Sequence, residues 1–266
     1  KPSHIAVAFD PAGPTFRHEA FELYKAQRQE TPEDIRWAVP RIKQILQAMN
    51  IPVLEVPGYE ADDVIGTIAY KAESQGFEVY MATPDKDYGQ LVTEHIFMYR
   101  PRHTGGFEKL GPQEVCDKYG IQNQRQVIDL LALMGDSSDN IPGCKGVGEK
   151  TAVQLLQQFG SVENLLVNTD QLKGAIQRKV QEQVENIRFS YFLATIKTDV
   201  PMQFDELSLV CQEKNWNQLA SLYRELEFNS LLKQTPVDQA ALPTGKSTVG
   251  SKKAKQQEAT LDLFAA

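Results

Sequence analysis

Eight acidic residues fall into four short clusters: Asp10; Glu60, Asp62 and Asp63; Asp85 and Asp87; Asp136 and Asp139. The strings that carry them, VAFD, YEADD, TPDKD and GDSSDN, each read as the end of a strand or the start of a helix. Like charges gathered at element ends repel and raise each other's pKa, so stability alone does not favour the pattern. A hard divalent cation resolves it, because Mg²⁺ takes oxygen ligands and keeps several waters for a phosphate. On a helix opening near Glu60, positions 60 and 63 share a face and Asp62 lies about a quarter-turn away. Singly, each cluster is also what a helix N-terminus or a turn carries. The four together point to phosphodiester chemistry, in which two metals activate a water and stabilise the leaving oxygen.

A second motif is the string IPGCKGVGEKTA over residues 141–152. Gly143, Gly146 and Gly148 allow a tight turn with outward backbone N–H groups, opening a helix near Glu149 whose N-terminus favours anions. Lys145 and Lys150 flank it, with Thr151 following. The pattern reads as a helix-hairpin-helix element, which grips a phosphate backbone without reading bases. It is not a P-loop: Glu149 separates Gly148 from Lys150, and no strand precedes it. A third motif, Phe16-Arg17-His18-Glu19 with Tyr24-Lys25-Ala26-Gln27-Arg28, mixes basic and aromatic residues as contact with phosphates and unstacked bases requires. The same run suits a solvated helix face. His18 is read as structural.

The elements that must position these residues follow from periodicity. Apolar runs at 5–9, 53–56 and 77–82 read as buried strands, and helices are expected from a Thr31 N-cap with Pro32 at the first position, and over 60–74. Strands alternating with helices imply a parallel α/β sheet, with ligands beyond the strand carboxyl ends, where Asp10 and Asp85 fall. From about Gly111 helices take over, at 112–119, 124–134, 149–159, 161–167 and 175–197, with a closing helix around Leu219 to Leu231. The expected layout is an α/β domain with helices on both sheet faces over 1–111, an all-α hairpin subdomain over 112–205, a closing helix over 206–233 and a flexible linker over 234–266. The terminal TLDLFAA reads as a short apolar tag.

The chain has 266 residues, 41% of them hydrophobic, and a net charge of −7, which argues against coating nucleic acid by bulk charge but permits local contact. Three scattered cysteines, Cys116, Cys144 and Cys211, lack metal-ligand spacing and read as free thiols of a reducing compartment. No apolar run reaches membrane-spanning length, and no signal peptide is read at the N-terminus.

Taken together, FDxxxxxFRHE, YKAxR, PGYEADD, TPDKD, GDSSDNIPGCKGVGEKTA and ELEFNSLL closely resemble the 5′→3′ exonuclease domain of bacterial DNA polymerase I, within the flap endonuclease family, over roughly residues 4–233. The resemblance implies a structure-specific, Mg²⁺- or Mn²⁺-dependent nuclease that removes 5′ flaps and RNA primers in replication and repair, cytoplasmic and nucleoid-associated, and monomeric. It implies two metal ions on Asp10, Glu60, Asp62, Asp63, Asp85, Asp87, Asp136 and Asp139, with Asp10, Lys25, Arg28, Asp63 and Asp85 catalytic. DNA contacts are implied at Arg17, Lys25, Arg28, Gly143, Lys145, Gly146, Gly148, Lys150 and Thr151, with K⁺ in the hairpin. The implied partners are DNA with a 5′ flap or nick, an RNA primer in a hybrid, and the rest of a polymerase I chain. Two departures are expected to matter. The family's first strand and its metal-binding Asp lie upstream of residue 1, and Tyr88-Gly89 replaces the usual Leu-Tyr after DKD. The alternatives are a catalytically incomplete DNA-binding fragment and a metal-dependent ribonuclease.

Overall fold

A computed structural model describes residues 1–102 and 104–237. In chain order the first part carries β1 (Val7–Ala8), α1 (Phe16–Ala20), α2 (Glu33–Ala48), β2 (Val53–Leu54), α3 (Ala61–Ser74), β3 (Val79–Met81), β4 (Ile96–Pro101) and β5 (Phe107–Leu110). The rest is helical: α4 (Pro112–Tyr119), α5 (Gln126–Met134), α6 (Glu149–Phe159), α7 (Val162–Val167), α8 (Gly174–Glu182), α9 (Val184–Ala194), α10 (Trp216–Glu225) and α11 (Asn229–Leu232). A 3₁₀ turn over Lys86–Leu91 links β3 to β4.

The chain divides into two compact units. One comprises residues 1–7, 30–54 and 205 onward; the other comprises residues 8–29 and 55–204. In the first, Val7 donates its N–H to the Pro52 carbonyl at 3.0 Å beside β2. Its core is Ala48, Leu219 and Tyr223, with Ile45, Met49 and Leu222 packed around them, which joins α2 to α10.

The second unit contains every candidate residue named above. Its sheet pairs β3 with β4 in parallel, Val79 beside Ile96, and β4 with β5 antiparallel, Met98 beside Leu110. Side chains alternate across it. Met81, Ile96, Met98 and Leu110 are buried, whereas Tyr80, Phe97, Tyr99 and Phe107 form an aromatic layer in which Tyr99 and Phe107 stack at 4.5 Å. Helix α5 is apolar on nearly all sides: Val127, Leu130, Leu131, Ala132 and Leu133 are buried, and it packs on α9 and α6. Each such leucine stabilises the fold by roughly 2 kcal/mol relative to exposure. This makes α5 a rigid rod, and its last turn delivers the chain directly into the Asp136–Asp139 segment.

The α/β class and the helical second half match the sequence reading, with three corrections. The sheet is mixed, because the β4–β5 hairpin over 96–110 was not anticipated. The three expected strands are shorter, and α2 begins at Glu33 with Pro32, not Thr31, as the flanking residue. The long helix expected over 175–197 breaks at Gln183, whose φ of −123° and ψ of 22° separate α8 from α9. Most of the expected linker and the whole TLDLFAA tag lie outside the described residues.

Candidate active site

Arg17 opens the site from below. It is 2% exposed, and all five of its N–H donors are used. Nη1 donates to Asp63 Oδ2 at 2.8 Å and Glu60 Oε2 at 3.0 Å, Nη2 to Asp63 Oδ1 at 2.9 Å and the Thr195 carbonyl at 2.6 Å, and Nε to the Leu193 carbonyl at 2.9 Å. Burial works against the Arg17 charge, but Asp63 and Glu60 outweigh it and hold its pKa above the ordinary value. Asp63 is equally committed: its carboxylate also accepts from the N–H groups of Glu60 at 3.0 Å and Lys197 at 2.8 Å. Two candidate residues are engaged within the protein itself. Arg17 is too buried and too fully bonded to reach a phosphate, and Asp63 has no lone pair directed away from the protein for a metal or a substrate. The pair instead ties α1, α3 and the chain after α9 into one scaffold. His18 is structural as read, its Nδ1 accepting from the Thr15 N–H at 3.2 Å.

Two interlocking turns carry the next group. Asp136 and Ile141 exchange both backbone hydrogen bonds, at 3.0 and 2.8 Å, closing a loop that displays Asp136 and Asp139. The loop docks on residues 23–28: the Lys25 N–H donates to the Asp139 carbonyl at 3.0 Å, and Asn140 Nδ2 to the Leu23 carbonyl at 2.7 Å. Lys25 and Asn140 both have left-handed backbones, with φ of 55° and 58°. For Lys25 that conformation costs on the order of 1 kcal/mol, and such strain is typical where a side chain must be aimed. Its ammonium pairs with Glu60 and lies 3.6 Å from Asp139, while Arg28 pairs with the other Asp139 oxygen. The Tyr24 hydroxyl stands between them, 3.0 Å from Glu60 and 3.2 Å from Asp139, and burial together with those carboxylates raises its pKa.

The remaining carboxylates form the upper wall. Asp10 is exposed and accepts the first N–H of α3, from Ala61, at 2.8 Å. Asp62 points away from Arg17, as the quarter-turn offset implies, and accepts the Tyr88 hydroxyl at 2.6 Å. Burial, and then Asp85 and Glu60, push its pKa up to about 6 against that hydrogen bond. Burial and Asp85 push Asp87 further, to about 8, with Lys86 opposing. Asp85 accepts the Asp87 N–H at 3.0 Å. Asp87 Oδ1 is buried without a hydrogen-bond partner. Asp136 behaves oppositely: burial would raise it, but Lys86 Nζ at 2.7 Å and the Ser138 N–H at 2.6 Å hold it below the usual carboxylate range.

The acids thus separate into two sets. Glu60, Asp63, Asp136 and Asp139 are each matched by Arg17, Lys25, Arg28 or Lys86. Asp10, Asp62, Asp85 and Asp87 have no ion pair among the described residues. Nor, among those residues, does any group of three or more carboxylate, imidazole or thiol side chains stand ready as the ligands of one ion. The chemistry of the donors nevertheless fits a hard cation. Mutually raised carboxyls and an orphaned buried oxygen are what a divalent ion satisfies. Sequence reasoning took Tyr24 only as part of a basic and aromatic run and Tyr88 only as a departure from the family pattern, and it missed Lys86. Their signal was adjacency to the acidic strings, and buried tyrosines usually find a polar partner for their hydroxyl.

The hairpin lies on the same unit. Gly135 and Gly143 meet backbone to backbone; a Cβ on Gly143 would stand 2.3 Å from the Gly135 nitrogen. The Gly143 N–H donates to Ser190 Oγ at 2.9 Å and the Lys145 N–H to Gln183 Oε1 at 2.7 Å, so neither faces outward as expected. Gly143 packs closely against the Gly135 backbone. Lys145, Gly146, Gly148 and Lys150 are exposed and Thr151 is half-buried, at the N-terminus of α6. Lys179 donates to the Gly146 carbonyl at 3.1 Å.

The family models for the N-terminal resolvase-like domain and the C-terminal SAM fold of 5′-3′ exonucleases match residues 1–120 and 122–217. The chain belongs to the 5′-3′ exonuclease family. It is 39% identical to a 5′-3′ exonuclease from Aquifex aeolicus, over 88% of this chain and 78% of that one. It is 44% identical to the thermostable DNA polymerase I of Thermus filiformis and 43% to the DNA polymerase I of Bacillus subtilis, and spans only 27% of each. Among solved structures, the fold resembles T5 5′-exonuclease with bound zinc, with a TM-score of 0.63 and 22% identity over 73% of this chain and 74% of that one. It also resembles the Rad2 catalytic core in complex with DNA substrate, with a TM-score of 0.53 and 15% identity over 82% and 72%. No helix among the described residues is long and apolar enough to cross a membrane.

Proposed function

We propose that this chain is the structure-specific 5′ nuclease portion of a DNA polymerase I, hydrolysing phosphodiesters at 5′ flaps, nicks and primer ends with two Mg²⁺ or Mn²⁺ ions. The observation that carries the metal reading is Asp87 Oδ1, buried and unpartnered among carboxyls that raise one another. Asp10, Asp62, Asp85, Asp87 and Asp136 would hold the ions, and Glu60 and Asp139 would join them on release from Lys25 and Arg28. When bound, divalent ions lower the pKa of water and draw charge from the phosphate, which is the chemistry hydrolysis requires.

The chain's own groups do the positioning. Lys25 and Arg28, held by a strained turn, present cationic donors to the scissile phosphate. Lys145, Lys150 and the α6 N-terminus with Gly146, Gly148 and Thr151 hold a duplex backbone nonspecifically. A DNA substrate and a divalent metal are supported by the 5′-3′ exonuclease family above and by neighbours solved with DNA and with zinc. The proposed organisation is a nuclease domain over 1–111, a hairpin subdomain over 112–205 that takes K⁺, a closing helix over 206–233 and a linker over 234–266, in a monomer of the bacterial cytoplasm. The test is Mg²⁺-dependent cleavage of a 5′-flap duplex beside an RNA single strand and a flap complex in chelator. Cleavage of the flap supports the reading. Flap binding without cleavage would favour a DNA-binding fragment, and preference for RNA a ribonuclease.

A further inference from the structure

Lys86 stands between two acids in sequence, yet its ammonium pairs with neither; it reaches Asp136 at 2.7 Å, fifty residues further along the chain. We propose that Lys86 is an internal counter-cation that occupies Asp136 until a divalent ion loads and then yields it, so that Lys86 sets the metal concentration at which the site fills. The proposal rests on the metal reading above and adds a residue that the reading does not require.

Three observations support it. The Asp136 side chain is only 7% exposed, and a carboxylate that buried needs a cation or several donors at all times. The Lys86 side chain is 41% exposed, so its stem has solvent into which the head can swing without breaking a core contact. An ammonium is a compact point charge with no two-pronged geometry to dismantle, unlike the Arg17–Asp63 pair that fixes the scaffold beneath. Moreover, Lys86 and Asp87 open one 3₁₀ turn that Asp85 caps, so exchange of the ammonium for a metal leaves the backbone in place. The exchange breaks one ion pair and makes another, with no covalent change. A competitor already seated on a ligand weakens the apparent affinity by the strength of the pair that must be broken. For a half-exposed ion pair that is about fivefold.

The test is calorimetric titration of the full chain with Mn²⁺ in the absence of DNA. Lys86→Met is expected to bind Mn²⁺ about fivefold more tightly than the unaltered protein, while Lys86→Arg, which keeps the charge, stays within about twofold. Lys118→Met removes an exposed charge of the same unit that lies over the Tyr119 ring and pairs with none of the candidate acids, and it is expected to leave affinity unchanged. Affinity unchanged or weakened in Lys86→Met, or raised equally in Lys118→Met, would overturn the role of Lys86 alone. No Mn²⁺ uptake by the unaltered protein would overturn the metal reading together with it.

Discussion

Arg17 and Asp63 meet through two parallel hydrogen bonds, 2.8 and 2.9 Å long, with both side chains buried. Removing one partner of such a pair strands a charge in the interior, which costs about 3–5 kcal/mol. Arg17→Ala and Asp63→Asn are therefore expected to lose stability of that order in urea unfolding. Arg17→Lys is expected to lose part of it, because an ammonium cannot serve five acceptors. The salt dependence of DNA binding should not change in Arg17→Ala, which removes the charge, measured at a temperature where the variant remains folded. A shallower slope would return Arg17 to the DNA surface.

Lys25 combines a left-handed backbone with a side chain held by Glu60 and Asp139. Lys25→Gly and Lys25→Ala both remove the ammonium, but only glycine relieves the backbone. The glycine variant is expected to be more stable than the alanine one by about 1 kcal/mol in chemical denaturation. Both are expected to lose flap cleavage by about a hundredfold while binding falls far less, as the proposed action of the ammonium on the reacting phosphate requires. Equal losses in binding and turnover would contradict that role.

Asp62 and Asp87 carry pKa values raised to about 6 and about 8 in the folded protein, above those of an unfolded aspartate. A raised carboxyl binds its proton more tightly when folded, so its stabilisation is complete below about pH 4 and is lost as pH rises through the folded pKa. In chelator, the melting temperature is expected to fall between about pH 4 and pH 8 from these two groups, with Asp129, also at about 6 through burial, adding to the lower half. Mn²⁺ should remove the part due to Asp62 and Asp87 but not that due to Asp129. A melting temperature that climbs over this interval in chelator would contradict the assignment.

The hairpin separates two kinds of residue. Lys145→Ala and Lys150→Ala are each expected to lower the slope of log K against log salt by about 0.9, one phosphate contact apiece, without altering stability. Gly143→Ala is expected to unfold the hairpin's seat, because its φ is 63° and a methyl would overlap the Gly135 backbone. A loss of several kcal/mol follows from such a clash. Full stability in Gly143→Ala would refute the close approach.

Much of this was legible in the residues. The 60/63 face and the offset of Asp62 came from helical geometry alone, and the structure puts Glu60 and Asp63 on Arg17 and turns Asp62 to Tyr88. The β4–β5 hairpin was legible but unread: Ile96 and Met98 alternate with Phe97 and Tyr99, and Gly105-Gly106 marks the turn. Other features had no local signal. Arg17 reads as a surface cation among FRHE until the carbonyls of Leu193 and Thr195 reach it across more than 170 residues. At Gln183, where the expected helix breaks, the side chain bonds both the N–H and the carbonyl of Lys145, a partner 38 residues away that no local pattern announces. Asp63 belongs to the scaffold because protein donors take its whole carboxylate, and that is a property of the packed chain.

The central claim is that the acids around Asp87 serve a divalent ion in phosphodiester cleavage. The most direct measurement is the Mg²⁺-dependent rate of 5′-flap cleavage by the unaltered protein and by Asp87→Asn, with flap affinity in chelator measured alongside. Asp87→Asn is expected to lose cleavage by at least about a hundredfold and to keep the flap affinity of the unaltered protein. An Asp87→Asn protein that cleaves at the full rate would contradict that claim.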